Sequence, residues 1–301
     1  MDIAILSRGP QLYSTQSLYK AGRARGHNMY IIDHTLCNLV IEDGRPEIYY
    51  EGQPIRHFDA VIPRIGASVT QQGAAVITQF ELMNVFTAIR ANALLLGRDK
   101  LRCLQQLQRQ ALPMPKTVAL GQHTDLWSAV NTLDGFPVVI KLLEGTHGIG
   151  VILCDGMQQT ESTVEAFQRL KGRVLMQEFI KEAKGTDIRA LVVAGEVVAV
   201  MKRQAQAGEF RSNLHRGASA SSDKLTAAEA NIVVRAAKAV GLSVAGVDLL
   251  RSARGPLIME VNASPGLEGI ETVTGINVAG KIIHFIEKKV KERRRAQAKL
   301  R

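Results

Sequence analysis

The sequence predicts a mixed α/β (α+β) protein that opens with an open parallel sheet. Through residues 1–95 short apolar runs alternate with helical patterns, the βαβ rhythm of a parallel sheet. Two later segments, around 188–201 and 247–262, read as β-hairpins, which calls for antiparallel pairing further along. The chain has 301 residues, 46% hydrophobic and 22% charged, enough for two or three compact units with sizeable cores.

Taken in order, 3–6 reads as a strand, 14–25 as a helix, 29–32 as a strand, 47–50 as a hairpin arm and 60–63 as a strand. A long helical pattern covers 70–90, and Asp99 is placed to cap a helix over 100–110. Strands are expected at 118–120, 138–143, 151–154 and 174–180, with helices at 125–133 and 158–170. A hairpin over 188–193 and 197–201 follows, then a polar loop at 205–222. A helix over 226–240 opens with Thr226 and Glu229 at capping-box spacing. The acid-bearing hairpin comes next, and 278–291 closes the chain as a helix. The expected division is 1–97, 98–178, 179–292 and a basic tail at 293–301.

Composition narrows the function. No apolar run approaches the ~18–20 residues of a membrane helix, and MDIAILSRGP reads as a first strand rather than a signal peptide. Cys37, Cys103 and Cys154 are far apart and odd in number, so buried thiols in a reducing, cytoplasmic setting are expected. The formal charge is +10, of which +6 lies in the last fifteen residues. That segment is either a solvated helix end or a basic arm for RNA or an acidic peptide.

The segment GVDLLRSARGPLIMEVNASPGLEG is the most informative. A turn near Arg254 would set Asp248 across from Glu260, with Asn262 on the same face by period-2 alternation. Three oxygen donors without sulfur or imidazole favour magnesium or manganese. Few protein ligands on magnesium in turn imply a phosphate-bearing partner. Acids among Val247, Leu249, Ile258 and Val261 need a counter-charge, which a metal or an Arg or Lys could supply.

Other candidates bind anions. EGTHGIG, with Gly145 and Gly148, frees backbone amides to approach phosphates, though an ordinary turn fits too. Lys141 lies within an apolar strand, where an ammonium needs an anion, and Lys100 is a second point charge. QEFI could offer strand-edge backbone to an adenine, with Phe179 and Ile180 near its face. Asp187 and Arg189 share one strand face. They suit a ribose and a phosphate, or equally a cross-strand ion pair. FRSNLHRGAS concentrates Arg211, Asn213, His215 and Arg216 in one loop. GINVAGK lacks the Ser/Thr of a Walker loop and its βαβ context, so it is read as chance.

In this order the motifs resemble the ATP-grasp superfamily across essentially the whole chain. SRGPQLYS, VIPRIG, RDKLRCLQ, KLLEGTHGIGV, GEFRSNLHRG and MEVNASPGLEGIE resemble the RimK-type glutamate ligases within it. The resemblance implies an ATP-grasp fold behind an N-terminal pre-ATP-grasp unit. It implies ATP held by Lys100, Lys141, Gly145, Gly148, Glu178, Phe179, Ile180, Asp187, Arg211, Ser212 and Asn213. Two magnesium or manganese ions would sit on Asp248, Glu260 and Asn262, with Arg189, Arg211 and Arg216 in catalytic roles. Implied partners are ATP, L-glutamate and the C-terminus of the sixth protein of the small ribosomal subunit. A homo-oligomer is expected, with no membrane. His147, where glutamine is expected, and the longer basic tail are departures. The alternatives are an ATP-grasp ligase for another peptide, carrier protein or small acid, and a non-enzymatic ribosome- or RNA-binding protein.

Overall fold

The structure is a computed structural model and describes residues 1–55, 57–143, 150–214 and 217–299. Strand β1 (Asp2–Leu6) is followed by helix α1 (Tyr13–Ala24) and β2 (Asn28–Ile32). A small antiparallel meander comes next: β3 (Cys37–Val40), β4 (Glu47–Tyr50) and β5 (Gln53–Pro54). Then come β6 (Ala60–Pro63), α2 (Thr70–Leu82), β7 (Phe86–Thr87) and α3 (Ala91–Arg98). The expected parallel sheet is present, in the order β2-β1-β6-β7. Gly22 lets α1 sit on β2, because a Cβ there would lie 2.2 Å from the Met29 sulfur.

One expectation is corrected here. The pattern over 70–90 is not a single helix: α2 stops at Leu82, β7 follows, and α3 begins at Ala91. Buried Val85, Ala88 and Ile89 kept the apolar spacing going through a turn and an edge strand.

Helix α4 (Lys100–Arg109) starts at the Asp99 cap, whose carboxylate accepts from the Arg102 amide. A middle lobe follows with β8 (Thr117–Ala119), α5 (Leu126–Thr132), β9 (Val138–Leu142), β10 (Val151–Cys154), α6 (Met157–Arg169) and β11 (Val174–Glu178). Its antiparallel sheet runs β10-β9-β11-β8. It has a separate small core around Val130, Ile140, Val164 and Met176.

The last unit holds β12 (Thr186–Val193), β13 (Glu196–Gln204), β14 (Ser219–Ser222), α7 (Ala227–Val240), β15 (Val244–Ser252) and β16 (Gly255–Asn262). Helices α8 (Glu268–Thr274) and α9 (Val278–Ala298) end it. Its sheet runs β14-β13-β12-β15-β16 and shares one continuous core with the N-terminal unit. The Thr226–Glu229 capping box forms as expected. Part of the 205–222 loop pairs as β14, a polar edge strand with no apolar alternation to announce it.

The GINVAGK segment is two helix ends rather than a phosphate loop. Gly275 stops α8 at φ 68°, and Asn277 caps α9 through the Gly280 amide. The basic segment from 293 is not a loose arm as far as Ala298. It extends α9, with Arg294 bound to Asp59 and Arg293 to the Asn84 carbonyl. All three cysteines are free and buried. No described helix is long and apolar enough to cross a membrane.

Candidate active site

The site is built on the β15–β16 hairpin. Its tip is tighter than the sequence suggests: Ser252 pairs with Gly255, leaving Ala253 and Arg254 as a two-residue turn. In unbroken register Asp248 would then face Met259. A bulge between Asp248 and Leu249 adds one residue on β16 and restores Asp248 opposite Glu260. The same shift leaves Ile258 and Val261 both buried, with Glu260 and Asn262 half-buried on the other face. The Asn262 amide points at the Asp248 carboxylate from 3.4 Å.

Asp248 is 1% exposed and already has counter-charges. Arg189, its register partner on β12, grips it with two parallel bonds of 2.7 and 2.5 Å. Arg203 on β13 adds a third at 3.0 Å and bonds Asp187, its own register partner, at 2.6 and 2.5 Å. Of the two readings of Asp187 and Arg189, the ion pair is the one formed, but not between those two residues. A four-residue ladder, Asp187–Arg203–Asp248–Arg189, crosses three strands. Burial raises the Asp248 pKa, yet Arg189 and Arg203 together hold it below its ordinary value. Asp187 goes the other way, pushed up by burial and by Asp248 against the pull of Arg203.

The middle lobe supplies cations from the opposite side. Lys141 on β9 donates to the Gln177 side chain at 2.6 Å. Burial pushes its ammonium down to about 8, opposed by the charge of Glu260 and helped by Lys100. Lys100 donates to the Leu143 carbonyl at 3.1 Å. Glu178 ends β11 and accepts from the Lys116 amide at 2.7 Å and from Arg254 at the hairpin tip. Phe179 meets Phe210 edge to face at 6.3 Å, and Ile180 is buried. Arg211 is paired with Glu209 at 2.9 and 2.6 Å and reaches the Val151 carbonyl at 3.2 Å, so the 205–222 segment touches β10. Ser212 is buried and Asn213 half-buried beside it. Gly145, His147, Gly148, His215 and Arg216 lie outside the described residues.

The donor set fits a hard divalent cation. Asp248, Glu260 and Asn262 bring only oxygen ligands; Asp248 Oδ1 keeps a lone pair beyond the one Arg189 uses, while its Oδ2 already accepts from both arginines. Glu260 has no hydrogen bond or ion pair among the described residues. No group of three His, Cys, Asp or Glu forms a self-sufficient metal cage among the described residues.

Comparison with known proteins decides the family. A model described as RimK-like ATP-grasp domain matches residues 97–286, and one described as RimK PreATP-grasp domain matches 1–94. The chain belongs to the RimK-like ATP-grasp family. A probable alpha-L-glutamate ligase 1 from Hahella chejuensis is 55% identical over 294 residues, covering 98% of this chain and 97% of that one. A probable alpha-L-glutamate ligase from Pseudomonas fluorescens is 55% identical over 288 residues, 96% of each. Among solved structures, the ATP-grasp ligase PsnB with minimal precursor, Mg and ADP superposes with TM-score 0.74 at 19% identity, covering 96% and 97%. D-alanine–D-alanine ligase from Bacillus anthracis with ATP gives 0.68 at 18%, covering 99% of each. These likenesses establish the ATP-grasp fold, and membership of the RimK-like family makes the chain an ATP-dependent carboxylate–amine ligase.

Sequence reasoning missed Arg203. MKRQ gave no motif, and only the register opposite Asp187 identifies it. Arg64, inside the VIPRIG motif, Arg98 and the Arg254–Glu178 clasp were missed for the same reason: each acts through tertiary contact.

Proposed function

We propose that this protein joins the amino group of L-glutamate to a protein C-terminal carboxylate, the acceptor being the sixth protein of the small ribosomal subunit. The convergence of Asp248, Glu260 and Asn262 beside Arg189, with Lys141 electrostatically coupled to Glu260, carries the reading. Near-full-length relatives named as glutamate ligases support the amino acid.

A carboxylate does not react with an amine at a useful rate, because oxide is a poor leaving group. In the first step an acceptor carboxylate oxygen bonds the γ-phosphorus of ATP and the bond to the β-phosphate oxygen breaks, releasing ADP. In the second, the glutamate nitrogen bonds the acyl carbon, the carbon–oxygen bond to phosphate breaks, and the ammonium proton leaves with phosphate. Such transfers depend on positioning and charge neutralisation more than on an acid–base residue. Lys100 and Lys141 would hold phosphate oxygens, with Glu178, Phe179 and Ile180 at the adenine end. Arg189 lies beside Asp248, and it would neutralise charge on the migrating group together with Arg211 and Arg216. Asp248, Glu260 and Asn262 would hold two magnesium or manganese ions, which neutralise the phosphates. Gly145 and Gly148 would let the loop cover the phosphates and exclude water from the acyl phosphate. Asp187, committed to Arg203, reaches ribose only through its remaining lone pairs.

The test is ADP release with ATP, magnesium and glutamate, with and without the purified small-subunit protein, alongside intact mass. ADP release coupled to glutamyl mass gains on that protein supports the reading. ADP release without mass gain moves the acceptor elsewhere.

A further inference from the structure

We propose that the guanidiniums of Arg64 and Arg98, with the Ser264 hydroxyl, bind a carboxylate of the incoming amino acid. The inference rests on the glutamate-ligase reading and adds a binding site to it.

Arg64 directly follows β6 at the carboxyl end of the parallel sheet. In the order β2-β1-β6-β7 the chain reverses direction of winding between β1 and β6. Open α/β sheets bind ligands outside the carboxyl ends of their strands at such a reversal. Here the crevice is closed by the segment leaving the acid-bearing hairpin. Arg64 donates to the Pro265 carbonyl at 2.8 Å, and Arg98, ending α3, donates to the Ile65 carbonyl at 2.6 Å. A Cβ on Gly97 would sit 3.3 Å from the Ala263 Cβ, so α3 ends against the residue preceding Ser264.

The charges are unbalanced. Arg64 is pushed down to about 10 by burial and by the neighbouring Arg98. Arg98 is also lowered by burial, opposed by Glu260. Neither has an ion-pair partner among the described residues. Arg98 Nε and Ser264 Oγ are buried without a hydrogen-bond partner. Two neighbouring desolvated cations, with backbone carbonyls as their only bonded partners among the described residues, leave a missing anion. A planar carboxylate matches the guanidinium fork, and a hydroxyl can complete its lone pairs.

Location selects the amino acid. Arg64 bonds Pro265 and α3 ends against Ala263, both just beyond β16, and Arg98 and Lys141 both feel Glu260 on that strand, so the two guanidiniums and the phosphate-side cation lie around the same acid-bearing hairpin. The attacking amine must reach an acyl carbon next to that hairpin. A carboxylate of the same small molecule then falls within reach of the pocket.

The test uses the full chain with Arg64→Gln, Arg98→Gln, Arg64→Lys and Ser264→Ala. KM and kcat are measured for glutamate, ATP and acceptor separately, with thermal unfolding of each variant. Calorimetry records L-glutamate binding in the presence of magnesium and a non-hydrolysable ATP analogue. Each glutamine variant should raise the glutamate KM about 10- to 100-fold. Arg64→Lys and Ser264→Ala should raise it less, ATP KM should stay within about twofold, and kcat at saturating glutamate should persist. Should Arg98→Gln unfold, Ser264→Ala still reads the site. A rise in acceptor KM with glutamate unaffected overturns the proposal and assigns the pocket to the acceptor carboxylate. Unchanged KM values also overturn it. If the wild-type chain transfers no glutamate to any acceptor, the ligase reading fails. Calorimetry then decides the pocket: heat abolished by Arg64→Gln supports it, and no heat with the wild-type chain overturns it.

Discussion

Arg203 reaches Asp248 over the top of a strand that lies between them. Its Nη2 bonds Asp248 at 3.0 Å while the same guanidinium holds Asp187 at 2.5 and 2.6 Å, and both carboxylates are almost fully buried. Removing it strands Asp187 and leaves Asp248 to Arg189 alone. Arg203→Ala should therefore cost about 3–5 kcal/mol of folding stability, read by urea unfolding. Loss of less than about 1 kcal/mol would show that the ladder is not what balances these acids.

The ladder is neutral, two arginines against two aspartates. A divalent ion on Asp248 leaves excess positive charge unless phosphates arrive with it. Magnesium alone should bind weakly, and magnesium with an ATP analogue should bind at least about tenfold more tightly. Calorimetry of each alone and both together checks this. Equal magnesium affinity with and without nucleotide would contradict the charge argument.

Asp248→Asn keeps the shape and removes a charge that both the arginines and the metals would use. Turnover should fall by about 100-fold or more while circular dichroism stays native. Near-normal ligation by this variant would remove Asp248 from the metal set.

Lys141 gives a pH signature. Its folded value is about 8 against 10.5 for the free side chain. Between those values the unfolded chain holds a proton that the folded chain has released, so the Lys141 contribution to stability rises with pH across that window. Phosphate binding needs the ammonium, so the ATP KM should climb as pH passes about 8. Lys141→Arg, charged throughout, should flatten that climb. A wild-type ATP KM that is level from pH 7 to 9 would refute the assignment.

Glu287 on α9 joins the first helix to the last. It bonds Arg25 and His27, and the Arg25 bonds first of all hold its carboxyl down to about 2 from 4.5. A depressed carboxyl stabilises the fold above its unfolded value and stops doing so as pH falls towards 2. Glu287→Gln should cost about 0.5–1 kcal/mol at pH 7 and almost nothing at pH 2.

Much of this was legible in the sequence. Short apolar runs placed β6 and β10 to the residue, and the Thr226–Glu229 spacing placed the start of α7. Asp248 opposite Glu260 was expected from a turn at Arg254, but it arises from a shorter turn plus a bulge. Two errors of one residue cancelled. What stayed hidden depends on which strands become neighbours. Arg203 meets Asp248 only because β13, β12 and β15 lie side by side, and Arg64 meets Pro265 across 201 residues of sequence. Local periodicity contains neither fact.

The extra residue at the β16 bulge divides one strand into two phases. Residues up to Ile258 keep the alternation set by the hairpin tip, and residues from Glu260 keep the opposite one. Deleting Met259 would merge the phases into one unbroken ladder, with Glu260 still opposite Asp248, Asn262 still on the acid face and Val261 still in the core. The bulged residue is thus spare: its loss would leave both the acid face and the packed face in place, whereas a changed residue at Glu260 or Val261 would damage one of them. At this point of the strand side-chain identity, more than chain length, is the parameter that has to be kept.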